Sequence, residues 1–178
     1  MMMKRIALLL CLVFAGPLAV ADETDLAAVS SLKVNLDAVV ALGQVSPVNG
    51  ITTAGQPDEA GFKVFAEKGY VAVIDLRTEG EDRGLDEPSV VEALGMDYIN
   101  LPIARDGITF ANAKALEDAI VSYDQPVLVH CGSANRVGAL FALSEFNRTQ
   151  DVEKALEVGR AAGLTRMEGV VKDILPKQ

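Results

Sequence analysis

Pro126-Val127-Leu128-Val129-His130 runs directly into Cys131-Gly132-Ser133-Ala134-Asn135-Arg136, and Val137-Gly138-Ala139-Leu140-Phe141-Ala142-Leu143 follows. The first stretch is short, apolar and rich in valine, as expected of a strand buried on both faces. The last is small and apolar, and predicts a helix over 136–147. A strand that passes through a tight loop into a helix is the building unit of an α/β fold.

The loop between them carries chemistry. A cysteine at a strand end, facing a helix N-terminus, sits beside the positive end of the helix dipole and several free N–H groups, which favours the thiolate. Small residues at 132–134 let the backbone curl until its N–H groups converge on an anion. Arg136 adds a planar fork able to hold two oxygens of a phosphate-like group. Taken singly, Cys131 reads as a core thiol, His130 as a satisfied core histidine and Arg136 as a surface residue. In this order they read as an anion-binding thiolate loop. Cys131 is its nucleophile, and Gly132, Ser133, Ala134, Asn135 and Arg136 surround the anion.

Outward from this unit the pattern alternates. Tyr70 to Leu76 (YVAVIDL) and Tyr98 to Leu101 are further strands, and 51–54 is a short β-branched segment. Pro57, Asp58 and Glu59 suit the first turn of a helix whose apolar face is Phe62, Phe65 and Ala66, stopped at Gly69. Further helices are expected over 88–94, 110–121, 151–162 and 166–175. The alternation predicts an α/β fold with a central, mostly parallel sheet flanked by helices. Ligands of such sheets bind beyond the carboxyl ends of the strands. The loops of interest are therefore 77–87, 102–108 and 131–136.

The chain has 178 residues, 50% hydrophobic and 23% charged, proportions that exclude a disordered or low-complexity protein. Acidic residues outnumber basic ones by 25 to 16, a formal charge of -9, which argues against nucleic acid and anionic membrane surfaces as partners. One histidine and two cysteines exclude a His-rich metal site and a disulfide-dense scaffold. Nothing marks a metal, a cofactor or an oligomeric state.

The N-terminus reads as an address. Lys4 and Arg5 precede an apolar run from Ile6 to Phe14, and Ala19-Val20-Ala21 is a small-x-small cleavage box. Residues 1–21 are expected to be a signal peptide, too short in its apolar run to anchor the chain stably in a membrane. Residues 22–47 then form a leader, with a short helix suggested by Leu32, Leu36, Val39 and Val40, and 48–178 form the domain. Cleavage removes Cys11 and leaves Cys131 without an internal disulfide partner, in a periplasmic or secreted protein.

The loop resembles that of the cysteine-dependent phosphatases, whose signature is His-Cys-x5-Arg. Only four residues separate Cys131 from Arg136. That spacing is similar to the bacterial phosphatase-like domains related to the one attached to β-lactamase-like hydrolases. Thr53-Ala54-Gly55-Gln56-Pro57 resembles their GQP turn, and Val73-Ile74-Asp75-Leu76-Arg77 their second signature strand. Leu101-Pro102-Ile103 precedes the acid loop, and the run from Ser133 to Leu140 matches theirs in pattern. The resemblance spans residues 48–175. It implies a protein-tyrosine-phosphatase-like fold and hydrolysis of phosphate monoesters, on a small molecule or a protein, through a phospho-cysteine.

In the resembling families the proton donor is an aspartate after the second signature strand. Asp106 is the only carboxylate between Leu101 and the next helix. Glu79, Glu81 and Asp82 are alternatives, otherwise a solvated loop. Arg77 and Arg105 could steer anions or form surface ion pairs, and Asp75 reads as structural. Two departures bear on turnover: Ala134 replaces a frequent glycine, and Val137 replaces the usual Ser or Thr. The rival readings are a rhodanese-like sulfurtransferase, which Asp75-Leu76-Arg77-Thr78 resembles, and a catalytically weak oxyanion-binding module.

Overall fold

The computed structural model of the chain describes residues 45–48 and 51–177. The expected signal peptide and leader helix lie outside the described residues. The valine- and isoleucine-rich runs form the sheet: β1 (Val45–Val48), β2 (Ile51–Ala54), β3 (Ala72–Asp75), β4 (Asp97–Asn100) and β5 (Val127–His130). Their order is β1-β2-β5-β3-β4. β1 pairs antiparallel with β2, while β2, β5, β3 and β4 run parallel. β5, the strand that leads into the cysteine, is therefore interior, which accounts for its four buried residues. β1 spans the point where the leader gives way to the domain.

Six helices flank the sheet among the described residues: α1 (Glu59–Glu67), α2 (Glu87–Ala93), α3 (Phe110–Val121), α4 (Asn135–Thr149), α5 (Val152–Ala161) and α6 (Glu168–Ile174). The starts of α1, α3 and α5 are set by Asp58, Thr109 and Asp151, whose side chains accept from the backbone N–H three residues on. α1 and α2 cover one face, where Phe62, Phe65 and Val91 meet Val73 and Leu128. α3 to α6 cover the other, against Ala72, Ile74, Val127 and Val129. Full burial of a side chain such as Phe62 stabilises the fold by ~2–3 kcal/mol. α4 is buried along nearly its whole length. At its crossing with α5, a Cβ on Gly138 would sit 2.6 Å from the Gly159 carbonyl oxygen, so only glycine permits this approach.

Candidate active site

Cys131 follows β5 directly and is 1% exposed. Successive strand residues face opposite sides. Cys131 thus packs with Val127 and Val129 beside α4, while His130 points the other way, to the ring of Phe62 on α1. The Cys131 N–H donates to the Ala54 carbonyl at 3.4 Å. Gly55, in the GQP turn, bridges Ser133, so the turn holds the start of the cysteine loop.

Ala134 adopts the left-handed conformation, φ 58°, at a cost to alanine of ~1 kcal/mol. Its methyl faces Gly163, where a Cβ would lie 2.4 Å from that of Ala134. Asn135 opens α4, and its Oδ1 accepts from the Thr165 N–H and hydroxyl, both at 3.0 Å, and from the Met167 N–H at 3.3 Å. The segment after α5 thus braces the cysteine loop from behind. Val137 is fully buried in the core, and no hydroxyl occupies its place.

Arg136 reaches across the strand ends to Glu81. Its Nη1 donates to Oε1 at 2.5 Å and its Nη2 to Oε2 at 2.6 Å. Nη1 also donates to the Ile103 carbonyl at 3.1 Å. A guanidinium has five N–H donors. Those not committed to Glu81 and Ile103 are Nε–H and the second Nη2 proton, the parallel pair of the side-on fork. Burial disfavours the charge on Arg136, but the Glu81 bonds and the neighbouring Cys131 sulfur raise its pKa above the ordinary arginine value. Glu81 is steadied by the Thr78 N–H at 2.9 Å and hydroxyl at 3.1 Å. The Arg136 bonds, working against partial burial, hold the Glu81 carboxyl down at about 2.

These groups open onto a cleft of about 390 Å³ beyond the carboxyl ends of the parallel strands. Thr78 and Glu81 line it from the loop after β3, Ala104 and Arg105 from the loop after β4, and Ser133, Asn135 and Arg136 from the loop after β5. Arg166 and Met167 close the fourth side. The thiol lies beneath this lining, in the core. Asp106 sits on a one-turn 3-10 helix (Arg105–Gly107), exposed, and makes no hydrogen bond among the described residues. It adjoins the lining through Arg105.

Two expectations are corrected. Glu81 is neither a solvated loop residue nor a stored proton, because Arg136 keeps it ionised. Arg77 neither steers anions nor pairs at the surface. It is 1% exposed and closes a buried charge network on the α1–α2 side of the sheet. Its Nε and Nη2 donate to the two Asp75 carboxylate oxygens at 2.9 and 3.0 Å, and Nη2 also reaches Glu87. Asp75 accepts further from Arg83 at 3.1 Å and the Tyr98 hydroxyl at 2.8 Å. Burial opposes ionisation of Asp75, but the Arg77 bonds and the nearby His130 outweigh it and hold its carboxyl at about 2. His130 Nε2 lies 2.7 Å from Glu87 Oε1. A carboxylate only accepts, so Nε2 carries the proton. Gln56 of the GQP turn donates to Glu87 at 3.0 Å. Ligand atoms of Asp75, Glu87 and His130 lie within 4.8 Å of one another, but Arg77 already supplies the positive charge there. The network ties the ends of β3 and β5, and so fixes the strand that presents Cys131.

Sequence reasoning missed Gly163, Thr165 and Arg166. Their signal, a Gly-Leu-Thr-Arg turn between two helices, names a loop but not its target.

The family model described as "Beta-lactamase hydrolase-like protein, phosphatase-like domain" matches residues 46–147. A beta-lactamase hydrolase-like protein of Xylella fastidiosa is 37% identical over 99 residues, 53% of this chain and 23% of that protein. The one from Agrobacterium fabrum is 33% identical over the same shares. The chain thus spans about a quarter of the length of these curated relatives. Among solved structures, a Neisseria meningitidis Z2491 protein superposes with a TM-score of 0.61 at 19% identity, covering 70% of this chain and 90% of that one. A cysteine-to-serine form of P. aeruginosa TpbA, in complex with phosphotyrosine, gives 0.57 at 15% identity, covering 70% and 77%. These likenesses show a protein-tyrosine-phosphatase-like fold. With a family model that covers more than half of it, the chain belongs to the phosphatase-like domains of the beta-lactamase hydrolase-like proteins.

Proposed function

We propose that this chain is an exported, cysteine-dependent hydrolase of phosphate monoesters, acting on a phosphorylated small molecule or protein in the periplasm or outside the cell. The observation that carries the reading is the state of Arg136. Glu81 occupies the outer edge of its guanidinium, and the same guanidinium also engages the Cys131 sulfur, which puts its remaining N–H donors beside the thiol, where two oxygens of a phosphoryl group would be held. Export rests on the basic, apolar and small-residue pattern of residues 1–21.

In this reading the Cys131 sulfur forms a bond to phosphorus as the bond to the leaving oxygen breaks. Asp106 gives its proton to that oxygen. Water then attacks the phospho-cysteine, and inorganic phosphate and the thiolate are released. Backbone N–H groups of 132–135 and the Arg136 fork hold the transferring oxygens.

A specific observation favours sulfur transfer as the second reading. Among the described residues the only carboxylate lining the cleft is Glu81, held down at about 2 by the Arg136 bonds. A persulfide on Cys131 needs no acid, because sulfur transfer leaves no oxygen to protonate. One pair of assays on the same purified chain separates them: phosphate release from an aryl phosphate, and sulfur transfer from thiosulfate to cyanide. Phosphate release that Cys131→Ser abolishes, with oxyanion binding retained, supports the phosphatase. Sulfur transfer alone overturns it, and oxyanion binding with neither activity leaves a binding module.

A further inference from the structure

Every other arginine among the described residues has a carboxylate partner: Arg77, Arg83, Arg136, Arg148 and Arg160 are each in an ion pair. Arg105 and Arg166 have none. Both are exposed, and both line the cleft above Cys131. They stand on different loops. Arg105 is on the 3-10 turn after β4, and Arg166 is on the segment that Asn135 anchors through Thr165 and Met167. The one side-chain bond of Arg166 is to the Ser133 hydroxyl, at 3.4 Å. That contact leans it over the loop expected to hold the phosphoryl group.

In a chain with a formal charge of -9, acidic partners for surface arginines are abundant. Two guanidiniums without a carboxylate partner, from two different loops and lining the same cleft as Arg136, are a positive rim in a negative field. Arg136 and the loop N–H groups suffice for one phosphoryl group. The rim is surplus to that need.

We propose, building on the phosphatase reading, that the substrate is a phosphate monoester carrying a second anionic group, a phosphate or a carboxylate, and that Arg105 and Arg166 bind it. They determine specificity and take no part in the chemistry at phosphorus. A charge-assisted bond to each favours such a substrate by about tenfold or more over its counterpart without the second anionic group.

The test uses a matched series on one ring: phenyl phosphate, 4-carboxyphenyl phosphate and hydroquinone bisphosphate. In the parent chain kcat/KM should rise by about tenfold or more from the first to the other two, and the advantage should shrink with added salt. In Arg105→Gln/Arg166→Gln the ratio should collapse to about one for the carboxylate and to about two, the statistical factor, for the bisphosphate. The arms also separate the two anions, since a preference for the bisphosphate alone assigns the second site to phosphate. No preference in the parent, or a preference that survives the double variant, overturns the proposal while leaving the phosphatase reading intact. Should no ester turn over, that reading falls, and calorimetric titration of Cys131→Ser with the same compounds decides. Tighter binding of the doubly anionic compounds that depends on the two arginines sustains the proposal, and equal binding overturns it.

Discussion

Glu81 binds the Arg136 guanidinium edge-on, 55 residues away in the chain, and so sets which of its N–H groups remain for a ligand. Removing the carboxylate has two opposed effects. The anion would meet one more uncompensated positive charge, worth under ~1 kcal/mol at a partly exposed site. Arg136 would lose the bidentate bond that aims its fork, worth ~1.5–3 kcal/mol. Orientation outweighs charge. Glu81→Gln should weaken vanadate binding about tenfold, read by titration against phosphate release or by calorimetry. Tighter vanadate binding would show that charge dominates.

The same pair has a pH signature. The Glu81 carboxyl lies at about 2, below its ordinary 4.5. Its stabilisation is fully present above the ordinary value and is lost as pH falls through about 2. An acid limb of the activity profile between pH 5 and 7 should therefore persist in Glu81→Gln. A limb that disappears in this variant would mean that Glu81 titrates in the working range.

Asp75 makes a stability prediction. It is fully buried and accepts from Arg77, Arg83 and Tyr98. Asp75→Asn leaves Arg77 with a buried charge short of a partner, which costs ~3–5 kcal/mol. Urea unfolding at pH 7 should report a loss of that size. In the parent the Asp75 carboxyl, at about 2 against an ordinary 3.8, contributes about 2 kcal/mol. That contribution is complete above pH 4 and lost as pH falls through 2. A parent whose stability is flat from pH 5 to pH 2 would contradict the network's energetics.

Ala134 and Gly163 should be coupled. Gly163→Ala places a methyl 2.4 Å from that of Ala134, on a backbone with φ 100°. It should destabilise by ~2 kcal/mol or more. In an Ala134→Gly background the clash is gone and only the backbone strain remains. A double-mutant cycle should return a coupling of ~1 kcal/mol. Additive losses would show that the loops yield and that the brace behind the cysteine loop is soft.

The strands and the cysteine loop were legible because their determinants are local. YVAVIDL and PVLVH announce buried strands, and β5 carries Cys131 to the helix start where the spacing placed it. β1 was not legible: Val45-Ser46-Pro47-Val48 has no alternation and holds a proline, tolerated because this is an edge strand. Nor was the fate of the charges. Arg77 at a strand end has the composition of a surface residue, and only the fold brings Glu87 and Asp75 around it. Glu81 stood among the five acids of the 77–87 loop with nothing local to mark it as the partner of Arg136. Long-range ion pairs leave no periodicity in a sequence.

Asp106 tests the reaction itself. The Ile103 carbonyl accepts from Arg136, and Ala104 and Arg105 line the cleft; Asp106 is the next residue along the same turn. A general acid matters only when the leaving group is poor. An alkoxide needs a proton, while a nitrophenolate is stable without one. Asp106→Asn should slow an alkyl or tyrosyl phosphate by about 10²–10⁴-fold and 4-nitrophenyl phosphate far less. Its isosteric amide keeps the turn, whose Gly107 carbonyl is held by Asn112 at 2.6 Å, so a loss confined to poor leaving groups reports the proton and not the loop. Sulfur transfer has no oxygen to protonate and should be nearly unaffected by the same substitution. Equal losses on good and poor leaving groups would make Asp106 a shaper of the loop. The proton source would then be sought at Glu79 or Asp82, since the Arg136 bonds hold the Glu81 carboxyl down at about 2.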